Sequence, residues 1–155
     1  MIDLEDSQKN KWSFKNTFLK EKEFKTSEFV VAIIANIIVL YIVNNLLNWN
    51  LSFIAPSFTE VLFILNVSIV ANIVANIGFI IYQKGWFKTL VQIVLNIIGF
   101  IVANTLYTVF PFTFQTIAFA YILKFILIIG MVALVIATLV EVVRFILIYI
   151  LKINS

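Results

Sequence analysis

Five amides and four charges fall inside stretches of chain that are otherwise apolar. They are Asn36, Asn72, Asn76, Gln92 and Asn96, with Glu60, Lys124, Glu141 and Arg144. An amide left unpaired in hydrocarbon costs several kcal/mol, so each must face protein or a water-filled cavity. Two chemistries fit. The amides can be interhelical glue, worth about 0.6 kcal/mol per hydrogen bond. Alternatively, they can line a polar site at the membrane midplane for a neutral solute or an ion. The 13 asparagines and 27 isoleucines both have AT-rich codons, so the number of amides carries no weight and only their placement does.

Glu60 and Lys124 each meet an uncompensated burial cost alone, so they are expected to pair with each other. Glu141 and Arg144 are three residues apart on one helix face, a spacing at which they are expected to pair locally. Other chemistry is removed by composition. The chain has no Cys and no His, hence no thiolate nucleophile, no triad, no imidazole haem ligand and no His or Cys metal site. The remaining titratable groups are too scattered for an acid–base pair. The chain is read as a non-catalytic protein with no catalytic residues, no metal and no cofactor.

The elements that hold these residues are membrane spans. Of 155 residues, 63% are hydrophobic and 12% charged, against about 45–50% and about 25% in soluble domains. Residues 1–28 hold 12 of the 19 charges. The domain that follows, 29–151, contains four apolar runs at about 29–47, 58–81, 89–110 and 117–140, the last with a helical extension to 151. Each run reaches the ~20 residues that cross ~30 Å of hydrocarbon. The backbone must satisfy itself in lipid, so the runs predict helices despite their Ile and Val content. The fold class is an all-α integral membrane protein, a four-helix transmembrane bundle. No small-residue cleavage motif follows the first run, so that span is expected to stay in the chain.

Basic residues set the orientation. Six Lys precede the first span, Lys84 and Lys88 sit in the expected loop 82–88, and Arg144 and Lys152 follow the fourth span. Loops 48–57 and 111–115 carry no Lys or Arg. The positive-inside rule then puts both termini in the cytoplasm of a multi-pass cell-membrane protein. Trp12, Tyr82, Trp86 and Phe87 form one aromatic belt, and Trp49, Phe53, Tyr107, Phe112 and Phe114 the other. In the amino-terminal segment, Trp12, Phe14, Phe18, Leu19 and Phe24 alternate with Lys, the composition of an interfacial amphipathic arm drawn to anionic lipid. Six acidic residues in this segment balance its six Lys, which argues against a nucleic-acid partner.

A shift of 60 residues lays the first span on the third. Positions 31–46 then give seven identities in 16, among them Asn36 on Asn96 and Asn44 on Asn104. Such a repeat implies two tandem helical hairpins of the same orientation. Small residues predict the faces where helices approach. They are Ala32, Ala35, Asn36 and Val39 on the first span and Ser68, Ala71, Ala75 and Gly78 on the second. On the third they are Gln92, Asn96, Gly99 and Ala103, and on the fourth Gly130, Ala133 and Ala137. Pro56 suits the first turn of the second helix. The function expected is helix–helix assembly, as a homo-oligomer or with a membrane-protein partner. The alternative is a small oligomeric transporter or channel with an Asn-lined midplane site.

Overall fold

Helices follow from solvent here more than from propensity. The apolar runs are rich in β-branched residues that would favour strands in water, but lipid offers no partner for a strand's backbone groups. The computed structural model describes residues 25–152. Among them, four helices are long and apolar enough to cross a membrane. They are α1 (Thr26–Asn45), α2 (Phe58–Ile81), α3 (Gly85–Val109) and α4 (Ile117–Phe145), the last continued by a π-helical turn, Ile146–Ile150. The protein is an all-α, multi-pass membrane protein. Of the amphipathic segment expected over 1–28, residues 1–24 lie outside the described residues, and Thr26 to Glu28 form the first turn of α1.

The helix ends refine the sequence reading. α3 begins at Gly85, so Lys88 belongs to its first turn and not to a loop. The connection Tyr82–Lys84 is tight because the Tyr82 N–H donates to Gly78 O (2.7 Å) and the Lys84 N–H to Tyr82 O (3.0 Å). Ser57 caps α2, so Pro56 stands outside the helix, where its carbonyl accepts the Thr59 hydroxyl at 3.0 Å. α4 and its π turn run for 34 residues, roughly 50 Å at ~1.5 Å per residue, well past ~30 Å of hydrocarbon. The π turn is closed by Leu151 N–H donating to Ile146 O at 2.9 Å.

The helices pack as two antiparallel hairpins, α1–α2 and α3–α4, joined more lightly along α2–α3. Among the described residues, α1 and α4 make no substantial contact. Lys25, Lys84, Lys88, Arg144 and Lys152 all fall at one end, the basic end. The core there is Phe29, Ala75 and Phe79, with Phe87, Val91 and Leu95 packed against it. Phe29 and Phe79 lie tilted at 5.4 Å, and Phe79 meets Phe87 edge to face at 6.1 Å.

The opposite, loop end is tied by backbone. Ala55 N–H donates to Pro111 O (3.1 Å) and Thr113 N–H to Phe53 O (2.9 Å), an isolated antiparallel bridge around Ile54 and Phe112. This bridge joins the two hairpins at the fully buried Pro111. α3 reaches it through Phe110, whose backbone is left-handed at φ 44° and ψ 68°. That conformation costs a bulky residue about 1–2 kcal/mol, and the surrounding rings of Phe112 and Phe114, at 5.7 and 6.5 Å, hold it there.

Candidate functional site: intramembrane amides and charges

The five candidate amides do not converge. Asn36 Nδ2 donates to Ala32 O (2.8 Å), Asn72 Nδ2 to Ser68 O (2.9 Å) and Asn76 Nδ2 to Asn72 O (2.7 Å). Each bond returns four residues along its own helix, so a donor in α1 and two in α2 are satisfied locally. Gln92 and Asn96 are half-buried on the face of α3 that carries Gly99. A Cβ at Gly99 would lie 3.4 Å from Leu134 of α4, so this face looks toward α4. The Asn96 side chain makes no hydrogen bond among the described residues.

One amide pair does cross between helices, and it was absent from the expected set. Asn44 Nδ2 donates to Asn66 Oδ1 at 2.8 Å, and Asn66 Nδ2 donates back to Asn44 Oδ1 at 3.0 Å. Asn44 also donates to Leu40 O at 2.8 Å. The 60-residue repeat pointed to Asn44. Nothing in a single-helix pattern points to Asn66, because the irregular stretch between α1 and α2 sets which turn of α2 lies opposite.

The charges also part from expectation. Glu60 and Lys124 form no ion pair among the described residues. Lys124 Nζ instead stands over the rings of Phe110 (4.8 Å) and Tyr107 (5.7 Å). The physical reason is placement. α4 packs on α3 and makes no substantial contact with α2, which carries Glu60. The aromatic end of α3 is therefore what a cation on α4 meets, and a ring face attracts it. At the basic end, Glu141 and Arg144 approach to 3.9 Å with both side chains largely buried. Lys88 feels the charges of Glu28 on α1 and Glu141 on α4, and its Nζ lies 5.0 Å from the Phe29 ring. The fully buried Thr89 hydroxyl has no hydrogen-bond partner.

Two expected small-residue faces are corrected. On α4, Ala133 is exposed and a Cβ at Gly130 would meet nothing within 4 Å. On α1, Ala35 and Val39 are exposed. A helical period shows that a face exists, but it does not say which neighbour covers it, and α4 packs chiefly on α3. On α2, Ala75 enters the core while Ala71 and Gly78 line a groove of about 1130 Å³ between α2 and α3. Apart from Asn66, every residue lining that groove is apolar or glycine.

Four apolar helices in two antiparallel hairpins, tied at one end by their loops and carrying most of their basic residues at the other, define a multi-pass membrane helix bundle. No protein-family model matches the chain, and neither a curated protein nor a solved structure matches it.

Proposed function

We propose that the chain is a non-catalytic component of the cell membrane that acts by assembling in the plane of the bilayer. Its partner is a second copy of itself or a larger membrane complex. The observation that carries this reading is Asn104. Its side chain is exposed on α3 and makes no hydrogen bond among the described residues. It shares its face with Val94, Ile97 and Ile101, themselves 45–54% exposed. An amide on an apolar span needs a partner, and a neighbouring helix supplies one. Solute transport finds less support, because the amides of Asn36, Asn72 and Asn76 turn back onto their own carbonyls.

The basic end faces the cytoplasm in this reading, since it gathers Lys25, Lys84, Lys88, Arg144 and Lys152. The amino-terminal segment rests on anionic lipid there, and no nucleic acid is involved. The test uses the absence of cysteine. A single Ile97→Cys substitution, oxidised in native membranes, is expected to give a cross-linked dimer or a discrete adduct with a foreign subunit. Asn104→Leu should reduce the product. A chain that stays uncross-linked and runs as a monomer on native gels would overturn the proposal.

A further inference from the structure

Among the described residues, the groove between α2 and α3 is lined by those two helices alone. Its α2 wall includes Val67, Ala71, Ala75 and Gly78, and its α3 wall includes Trp86 and Val94. Along α2 it runs from Phe63 to Gly78, roughly 22 Å at ~1.5 Å per residue. That exceeds one leaflet's share, about half, of a ~30 Å hydrocarbon core. An apolar trough of this length within the membrane excludes water and admits a hydrocarbon chain.

The mouth of the groove decides which chain. The connection Tyr82–Lys84 joins the two walls at the basic end. Tyr82 and Trp86 meet there edge to face at 5.8 Å, and both are exposed. Paired amphipathic rings of this kind sit at headgroup depth. Lys84 is exposed beside them and makes no ion pair among the described residues. The sequence has no Asp or Glu from Val61 to Val140, so neither the walls nor the mouth supplies a carboxylate. The carboxylates of Glu28 and Glu141 act on Lys88, and Glu28 also on Lys25 at 3.6 Å. An apolar trough that ends in an aromatic pair and an unmatched ammonium is complementary to a molecule with a hydrocarbon tail and one anionic head.

We propose that the α2–α3 groove binds one acyl chain of an anionic glycerophospholipid, whose phosphate sits against Lys84. Trp86 reports the occupant directly, because it lines the groove. Trp12 and Trp49 are the other two tryptophans, and changing both to Phe leaves a single reporter in the full chain. That protein is reconstituted in phosphatidylcholine vesicles with increasing fractions of chain-brominated phosphatidylglycerol or chain-brominated phosphatidylcholine. Brominated phosphatidylglycerol is expected to half-quench Trp86 at a roughly fivefold lower fraction, the equivalent of about 1 kcal/mol for one lysine near an anionic surface. Lys84→Gln should bring the two lipids to parity, whereas Lys25→Gln, at the same end but paired with Glu28, should not. Ala71→Phe, which fills the trough, should weaken quenching with Lys84 intact. Equal quenching by both lipids overturns the proposal, as does a preference that survives Lys84→Gln. Absence of quenching by either lipid overturns it in favour of a protein occupant.

Discussion

Asn44 and Asn66 exchange two hydrogen bonds, of 2.8 and 3.0 Å, across the α1–α2 hairpin. The same 60-residue shift that lays α1 on α3 carries this pair to Asn104 and Ile126. The second hairpin therefore keeps one amide and loses its mate. Both residues of that incomplete pair are exposed, and the cation of Lys124, two positions from Ile126, has gone to the rings of Tyr107 and Phe110. Two hairpins whose first helices resemble each other thus differ in one respect that matters in lipid: Asn44 finds a partner on α2, whereas Asn104 is exposed and makes no hydrogen bond among the described residues.

Asn44→Leu or Asn66→Leu alone is expected to destabilise the α1–α2 hairpin, because the remaining amide loses its partner. Interhelical bonds in membranes average about 0.6 kcal/mol and reach about 1.7 kcal/mol; a reciprocal pair belongs toward the upper value. The double Leu variant should be less destabilised than the two single losses added together. Reversible unfolding in mixed micelles gives the cycle. Strict additivity would mean that the pair contributes nothing.

Ile126→Asn should restore the missing mate. Asn104 would then be satisfied inside the α3–α4 hairpin, which gains about 0.6 kcal/mol. In-plane association through that face should fall, read as a lower yield of the Ile97→Cys cross-link at equal protein-to-lipid ratio. An unchanged yield, with the hairpin demonstrably more stable, would separate Asn104 from assembly.

The membrane spans were legible in sequence because lipid leaves few options. A long apolar run must be a helix, and Phe58–Ile81 is bounded by Pro56 and Ser57 at one end and by Tyr82–Lys84 at the other. Partner choice was not legible. The stripe at Gly130 and Ala133 has a helical period, yet it faces open space because α4 packs on α3 alone among its possible wide contacts. Asn66 escaped notice because cross-hairpin register depends on the fold of 46–57, where Asn50 takes a left-handed backbone (φ 49°) and the Asn50 N–H donates to Leu47 O at 3.2 Å. The Glu60–Lys124 expectation failed for the same reason: a helical pattern does not say which helix lies beside which, and α4 packs on α3 and not on α2.

Glu60 and Lys124 are expected to behave independently. Glu60→Lys should not be rescued by Lys124→Glu, and the pair should add to within about 0.3–0.5 kcal/mol. Lys124 should couple instead to Phe110. A cycle of Lys124→Met with Phe110→Leu is expected to show about 0.5–2 kcal/mol of interaction, the range for a cation over an aromatic face. A rescue in the first cycle, or additivity in the second, contradicts the geometry.

Glu141 is the largely buried acid of the basic end. It lies 3.9 Å from Arg144, largely buried, and its charge also reaches Lys88. Glu141→Gln removes the carboxylate beside Arg144 and one of the two that act on Lys88. The cost should fall between the ~0–1 kcal/mol of an exposed pair and the ~3–5 kcal/mol of a buried one. Glu28→Gln removes a carboxylate that is 64% exposed and should cost less. Thermal unfolding of both variants in micelles ranks them, and the reverse order would show that Lys88 relies on α1 more than on α4.

The bridge between the two loops carries the connection between hairpins at the end opposite the basic end. Thr113→Pro deletes the N–H that donates to Phe53 O at 2.9 Å, while leaving the Ala55–Pro111 bond chemically possible. The two bonds share one short antiparallel pairing, so loss of one should loosen the other. Amide exchange is expected to rise at 54–55 as well as around 113, because the Ala55 N–H depends on the same pairing. Exchange at the turns of α2 and α3 that hold Phe79 and Phe87 should stay slow, since that end is held by ring packing at 6.1 Å. If only the neighbours of position 113 exchange faster, the two bonds are independent and the loops do not act as a single clasp. If the basic end also loosens, the clasp controls the whole α2–α3 contact, and the groove between those helices would widen with it.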